Sequence, residues 1–391
     1  MKGVILVENS FVHPYMPNSV PENKKAMLDE LGINSVEDIY KSIIPDELLY
    51  KERLDIPEPI RSEYELKRHV MGILNRDITT EEYTSFLGAG CYKHQVPAIC
   101  DEINSRGEFL TAYCGDTYSD HGKMQAIFEY TSMMGELLDT DVVSYTTYDG
   151  GQAVASSLRM AVRAVREKGM AGKVILVPKT MNPEIYSQVV QYCRNVAEVR
   201  KIAYEPETGL MDLEELKEQL AKKNVAAVFF ENPTYLGNFE TRGEEIAKLA
   251  HDAGAYCVVQ TEVAALGIME SPVNQGADIV CGDIQPLGMH IQFGGGQAGF
   301  IACNQNMDLV EQFPTYMYGI TETEKEDTYG WGRAMNYRSS HGSRENAKEY
   351  FGTETGLWAI TAGVYLASMG PQGMYELGET IIQNAAYLED I

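Results

Sequence analysis

Two alternating patterns of apolar residues run through the central part of the chain. Short runs of consecutive apolar residues are typical of strands buried on both faces, and apolar residues spaced three or four apart are typical of amphipathic helices. Strand-type runs occupy residues 174–177, 225–230, 255–259, 277–280 and 299–302, and helical spacing covers 124–138, 151–168, 212–224 and 240–253. This alternation predicts an α/β domain whose mainly parallel sheet is covered by helices on both faces.

The two ends of the chain lack this alternation. Helices are predicted to start at Pro21, at the Asn34–Glu37 segment with its capping residue and acidic first turn, and at Ser62. Residues 303–350 are polar and irregular, and helical spacing returns over 353–390 with a break at Gly370-Pro371. We therefore expect an N-terminal helical arm (1–85), a large domain (86–305) and a small C-terminal helical region (306–391).

Composition and charge narrow the range of functions. The 391-residue chain contains no apolar run near the ~20 residues of a membrane helix, and the run at residues 4–7 is too short for a signal peptide. A formal net charge of −25 disfavours binding to nucleic acid and to anionic membranes. The seven cysteines form no Cys-x-x-Cys pair and the seven histidines show no metal-ligand spacing, so neither a disulfide framework nor a metal is expected. We expect a cytoplasmic protein.

Motifs distributed over nearly the whole chain carry a family resemblance. They are MLDELG at 27–32, FLGAGCYKHQVP at 86–97, FLTAY at 109–113, QAIFEY at 125–130, YDG at 148–150, GADIV at 276–280, QPLG at 285–288 and YLASMGPQG at 365–373. In this order they resemble the glycine cleavage system P-protein, specifically subunit 1 (alpha) of the two-subunit bacterial form.

The resemblance implies both a fold and a function. The fold implied is the fold-type-I transferase fold that depends on pyridoxal phosphate (PLP), as in aspartate aminotransferase. The function implied is that of a subunit of a glycine decarboxylase, inactive alone and paired with a PLP-bearing beta subunit in an α2β2 heterotetramer. That complex decarboxylates glycine and transfers the aminomethyl group to a lipoylated carrier protein.

Four residues predict that this chain binds no PLP covalently. Fold-type-I enzymes carry their imine-forming lysine between a strand and a glycine-rich turn, and here that place holds Gln285 and Pro286. Gln260 stands where an aspartate would face the pyridine nitrogen. Asp149 precedes the long helix and would place a negative charge against the phosphate, although it can equally be the N-cap of that helix. We therefore expect that no residue of this chain is catalytic without the partner, and that the partner subunit binds the PLP.

The turn at residues 88–94 is the best candidate for a working site. Fold-type-I dimers borrow loops from the neighbouring subunit, glycine permits close approach to a ligand, and histidine can exchange protons near neutral pH. The predicted contributors to the partner's active site are Gly88, Gly90, Tyr92, Lys93, His94 and Tyr113. The alternative is a tight turn whose tyrosine and histidine only pack locally.

Several loops depart from the family pattern. Lys93 replaces an aspartate, residues 114–122 form a shorter and rewritten loop, and residues 338–345 keep only part of an arginine-rich pattern. The chain also ends soon after Leu388, without the family's usual C-terminal stretch. Because loops carry function, a divergent paralogue is the alternative: a catalytically silent structural or regulatory partner of a PLP enzyme that acts on another amino acid or amine. Neutral loop drift in an ordinary subunit explains the same changes. A stand-alone aminotransferase is disfavoured by the missing lysine.

Overall fold

A seven-stranded sheet forms the centre of the protein. Its strands are β1 (Val142–Val143), β2 (Val174–Pro178), β3 (Glu198–Ile202), β4 (Val225–Asn232), β5 (Tyr256–Thr261), β6 (Ile279–Asp283) and β7 (Gly299–Cys303), in the spatial order β1-β7-β6-β5-β4-β2-β3. Strands β2 to β6 pair in parallel, and β7 is antiparallel to both of its neighbours. The predicted α/β architecture with a mainly parallel sheet is confirmed.

The structure is a computed structural model that describes residues 12–50, 52, 55–88, 91–110, 121–352 and 354–390. The chain divides into two units, Met1–Glu82 and Tyr83–Ile391. Both of the predicted segments 86–305 and 306–391 fall in the second unit, and the finer division between them stays a prediction.

The first unit contains the helices α1 (Pro21–Leu31), α2 (Glu37–Lys41) and α3 (Glu63–Leu74). The predicted helix start at Ser62 is confirmed, and the Ser62 hydroxyl caps α3 by accepting the Glu65 N–H. At α2 the predicted side-chain cap is wrong: the N-cap residue is Val36, and the Asp38 carboxylate accepts the N–H groups of Asn34 and Ser35 instead. None of the residues described in this unit is buried, so residues 12–50, 52 and 55–82 form no hydrophobic core of their own.

Helices cover both faces of the sheet in the second unit. They are α4 (Ala98–Asn104), α5 (His121–Leu138), α6 (Gly150–Glu167), α7 (Pro183–Cys193), α8 (Leu213–Leu220), α9 (Gly243–Asp252), α10 (Met307–Val310), α11 (Ser340–Ser343) and α12 (Gly356–Glu389). Within α12, Gly370 leaves the helical conformation (φ 62°, ψ −179°) immediately before Pro371, which confirms the predicted break. Among the described residues, no helix has the length and apolarity needed to cross a membrane.

The core consists of two hydrophobic clusters that share the strands of the sheet. Along β4, Val228 and Phe230 belong to one cluster, whereas Ala227 and Phe229 belong to the other. Since successive strand residues point to opposite faces, the two clusters lie on opposite sides of the sheet. The second cluster includes most of the apolar residues of α6. Helix α6 is therefore held firmly, and its N-terminus occupies a fixed position at the edge of the sheet.

A second sheet interrupts the region that was expected to be irregular. Strands β8 (Met317–Glu322) and β9 (Tyr329–Ala334) form an antiparallel hairpin between residues 303 and 350. Tyr318 packs edge-on against Tyr145, with ring centroids 5.3 Å apart. The expectation of an irregular segment is thus wrong over these residues. Glycine and charged residues interrupt the apolar alternation of the two strands, and tertiary contacts stabilise them instead.

Candidate functional site

The carboxyl ends of β4, β5 and β6 lie at one edge of the sheet, where open α/β sheets bind ligands. At this edge the side chain of Asp283, the last residue of β6, accepts three backbone N–H groups. Oδ2 lies 2.8 Å from the Gly150 nitrogen, and Oδ1 lies 2.8 Å from the Gln285 nitrogen and 3.3 Å from the Ala298 nitrogen. Burial and, to a smaller extent, the nearby Asp149 raise the pKa of Asp283 to about 7 against the lowering effect of these three donors.

Asp283 takes a donor at the N-terminus of α6, because Gly150 is the first residue of that helix. Asp149 is the N-cap, and its Oδ1 accepts the Gln152 N–H at 2.6 Å. The helix end therefore already faces two carboxylates of the protein itself. Asp283 was not singled out in the sequence, although an acidic residue that ends an apolar strand is a recognisable signal.

The residues at this edge do not fit a PLP of the chain's own. An imine needs an amine, and Gln285 and Pro286 offer none. A phosphate would compete with the Asp283 and Asp149 carboxyl groups for the N-terminus of α6 and would be repelled by the ionised form of either. On β5, Gln260 offers an amide in place of a carboxylate, and its buried Oε1 accepts no hydrogen bond from the described residues. The described residues also include no group of three or more side chains that could hold a metal ion.

Gln285 contacts the candidate turn directly, although 193 residues separate Gln285 from Tyr92. Its fully buried amide donates from Nε2 to the Tyr92 carbonyl and to the Met289 carbonyl, both at 3.0 Å. Its Oε1 lies 3.4 Å from the Tyr92 nitrogen and accepts that N–H. Gln285, which stands in the place of the cofactor lysine, is therefore hydrogen-bonded to the turn that is predicted to be functional.

Within the turn, Tyr92 and His94 lie close together. Their ring centroids are 6.3 Å apart and the rings are nearly perpendicular, at 85°. Tyr92 is exposed and His94 is half-buried. Burial lowers the pKa of His94, and the neighbouring Gln285 amide raises it by a smaller amount. The imidazole Nε2 is buried and has no hydrogen-bond partner among the described residues. A neutral imidazole with one unsatisfied nitrogen is thus available at this turn.

The other predicted contributors are only partly described. Gly88 has φ +68°, a left-handed conformation that favours glycine, and Lys93 is exposed between Tyr92 and His94. Gly90 and Tyr113 lie outside the described residues, as does the rewritten loop from 114 to 120. In the segment 338–345, Arg338 has a structural role. Its buried guanidinium donates to the carbonyls of Phe313 (2.8 Å) and Thr315 (3.2 Å).

A second polar cluster lies on α6. The Glu349 Oε2 is 3.0 Å from Nε of Arg159 and 3.4 Å from a terminal nitrogen of Arg163. Ser156 donates to the Glu349 Oε1 at 3.1 Å, and Arg163 also donates to the Gln312 side chain at 3.1 Å. This cluster attaches the segment before α12 to the long helix. Its members were not singled out in the sequence because Glu349 and the two arginines are far apart along the chain.

The N-cap role of Asp149 gives a testable expectation. In Asp149→Ala the Gln152 N–H loses its acceptor, so the free energy of unfolding should fall by about 1 kcal/mol. Urea denaturation measures this difference. The matched control is Asp212→Ala, since Asp212 caps α8 in the same way through the Glu214 and Glu215 N–H groups. A normal loss in the control with no loss in Asp149→Ala would contradict the capping role.

Comparison with known proteins agrees with the motifs. The glycine cleavage system P-protein family matches residues 13–391. The chain is 37% identical over 377 residues to the probable glycine dehydrogenase (decarboxylating) subunit 1 of Pyrococcus horikoshii, covering 96% of this chain and 81% of that protein. The protein of the same name from Carboxydothermus hydrogenoformans is 36% identical over 374 residues, covering 95% of this chain and 81% of that protein.

Solved structures agree as well. A crystal structure of glycine decarboxylase (P-protein) of the glycine cleavage system, in inhibitor-bound form, aligns with a TM-score of 0.79 and 31% identity, covering 94% of this chain and 78% of that one. Mouse CSAD aligns with a TM-score of 0.59 at 12% identity, covering 91% of this chain and 72% of that one, which bears on the fold alone. The predicted fold-type-I architecture and the family resemblance are confirmed, and the chain belongs to the glycine cleavage system P-protein family.

Proposed function

We propose that this chain is the subunit of a glycine decarboxylase that lacks the cofactor lysine, and that it acts only when paired with a PLP-bearing partner subunit. One observation carries the proposal: Gln285-Pro286 stands in place of the lysine, while the carboxylates of Asp283 and Asp149 face the N-terminus of α6 where a phosphate would bind. The cofactor chemistry then belongs to the partner, and no PLP is bound by this chain.

The relatives support the pairing. Proteins named glycine dehydrogenase (decarboxylating) subunit 1 match the chain over nearly its whole length, and that name implies a second subunit. The proposed partner is the PLP-bearing beta subunit, similar to subunit 2 of the same enzyme. The aminomethyl group left after decarboxylation would pass to a lipoylated carrier protein, as the family resemblance implies.

The arm supports a stable heteromer. The described residues of Met1–Glu82 form three α-helices, yet no described residue there is buried, and α3 exposes Leu66, Val70 and Ile73. Ordering a segment costs conformational entropy, which burial of apolar surface must offset. Obligate subunit interfaces bury about 2,000–5,000 Å², enough to cover such a segment. We therefore infer an obligate assembly, with α2β2 as the expected stoichiometry.

The turn at residues 88–94 is the proposed contribution to the partner's active site. Tyr92 supplies an exposed tyrosine side chain, and His94 supplies an imidazole that its lowered pKa keeps neutral near pH 7. Gly88 and Gly90 would let the backbone approach a ligand closely, and Lys93 and Tyr113 complete the proposed set. In this arrangement the chain positions the substrate and exchanges protons with it. The bonds that break and form lie in the PLP site of the partner subunit.

Reconstitution tests the proposal. The chain and its partner are produced separately and together, incubated with PLP, reduced with borohydride and digested for mass spectrometry. We expect the reduced PLP adduct on a partner lysine and none on this chain. Release of labelled CO2 from glycine, assayed with a lipoylated carrier, should require both chains, and light scattering should give a heterotetramer.

Each arm of this experiment has a result that would count against the proposal. A PLP adduct mapped to a lysine of this chain would overturn the assignment of the cofactor. Full activity of the partner alone, which is the matched control, would remove the need for this chain. A stable and monodisperse monomer at micromolar concentration in the presence of the partner would contradict the obligate assembly.

A further inference from the structure

We propose that Gln285 is a positioning residue: its buried amide holds the Tyr92–His94 turn in the geometry that the paired active site requires. The place of the missing lysine is thereby reused as a support for the part of this chain that serves the partner. The inference rests on the proposed function, because the turn acts only in the assembled enzyme.

The contacts of the amide fit this task. Gln285 pairs with both backbone polar groups of Tyr92: Nε2 donates to the carbonyl at 3.0 Å and Oε1 accepts the N–H at 3.4 Å. The second hydrogen of Nε2 is directed to the Met289 carbonyl, also at 3.0 Å. Two hydrogen bonds thus join the turn to the segment after β6, and the third, to Met289 within that segment, fixes the orientation of the Gln285 amide.

Few other side chains could make these contacts. Only an amide offers two donors and an acceptor on one planar group of this length. A lysine would donate to the two carbonyls and leave the Tyr92 N–H without an acceptor. An apolar side chain would leave all three backbone groups without their partner. Because Gln285 is fully buried, water does not easily take over these hydrogen bonds.

The backbone of Gln285 is itself held in place from the other side. Its backbone N–H donates to Asp283 Oδ1 at 2.8 Å, and the same side chain accepts the Gly150 N–H of the buried helix α6. A continuous series of hydrogen bonds therefore runs from α6 through Asp283 and Gln285 to Tyr92. His94 follows Tyr92 by two residues, and its imidazole interacts with the Gln285 amide. This amide raises the pKa of His94, whereas burial lowers it by a larger amount. Gln285 thereby affects both the place and the protonation of His94.

The test is Gln285→Met in the reconstituted complex with wild-type partner. Methionine has a similar length and is apolar, so it removes the three hydrogen bonds while filling the space. We expect turnover with glycine to fall at least ten-fold, with a KM for glycine changed less than three-fold. Hydrogen exchange of the peptide containing Tyr92 should become at least ten-fold faster, and the acidic limb of the kcat/KM profile should move to lower pH.

The matched control is Gln312→Met, since Gln312 is also fully buried and bonded, through Arg163 and Glu167, in the cluster on α6. It should leave exchange of the Tyr92 peptide and the pH profile as in the wild type. If Gln285→Met does not assemble, Gln285→Glu serves instead. As a carboxylate it keeps the acceptor for the Tyr92 N–H and loses both donors, so exchange of that peptide must still increase.

The outcomes separate the two proposals. Unchanged turnover, exchange and pH profile in an assembled Gln285→Met complex would overturn the positioning role and leave the proposed function intact. If both Gln285→Met and Gln312→Met lose stability and show equally faster hydrogen exchange of the Tyr92 peptide, Gln285 is an ordinary core residue and the positioning role is overturned. A wild-type complex that releases no CO2 from glycine would overturn the proposed function, whereas the exchange measurement would still decide whether Gln285 holds the turn.

Discussion

Replacing His94 with alanine is expected to lower the turnover of the reconstituted glycine decarboxylase by at least ten-fold, with the assembly intact. A positioned general acid or base is worth ~10²–10⁴-fold in rate, and the proposed contribution of His94 falls at the lower end because the partner retains its own groups. The imidazole is half-buried, and its Nε2 has no hydrogen-bond partner among the described residues, so its removal breaks no such bond at that nitrogen. Release of labelled CO2 measures the effect.

The pH profile provides a second readout of the same substitution. Burial lowers the pKa of His94, so the imidazole stays neutral to a lower pH than an ordinary histidine. If the neutral form accepts a proton, activity is present above this lowered pKa and is lost as the pH falls through it. That acidic limb should be present in the wild type and absent in His94→Ala.

The matched control for His94 is His251→Ala. His251 is a half-exposed histidine at the end of α9 whose Nε2 lies 2.8 Å from Asp278. Its removal should leave turnover within two-fold of the wild type. If His94→Ala assembles and keeps full activity and the same pH profile, the turn only packs locally, which is the alternative stated for it from the sequence.

Replacing Glu349 with alanine is expected to lower the free energy of unfolding by roughly 2–4 kcal/mol, somewhat less than the roughly 3–5 kcal/mol for fully buried pairs, because the two arginines keep some contact with water. Glu349 is 11% exposed and is shared by Arg159 and Arg163. Burial lowers the pKa of Arg163, and the Glu349 charge opposes that effect. Without Glu349, two like charges one helical turn apart on α6 lose their common counter-ion and the Ser156 hydroxyl loses its acceptor.

Urea or guanidinium denaturation of the assembled protein measures this loss. The matched control is Glu345→Ala, an exposed glutamate of the same segment, which should change stability by less than about 0.5 kcal/mol. Equal and small changes in the two variants would mean that the cluster contributes little, as surface ion pairs do.

The elements of the fold were predictable to different degrees. Strands β2, β4, β5, β6 and β7 were visible as apolar runs, because a strand buried on both faces needs no polar residue. Strand β3 (EVRKI) was missed, since it lies at the edge of the sheet and can carry charges on its exposed positions. The hairpin of β8 and β9 was missed because its outer residues are exposed and polar.

The amino-acid sequence by itself determined the family, the α/β architecture and the absence of a lysine at residues 285 and 286, since each depends on residue identity or on local periodicity. Tertiary structure alone decided that Asp283 meets the N-terminus of α6 and that the Gln285 amide pairs with the backbone of Tyr92. The groups in these contacts are separated by 133 and 193 residues. No local pattern encodes such contacts, because they arise only when burial of the two hydrophobic clusters brings the ends of the strands and the turn together.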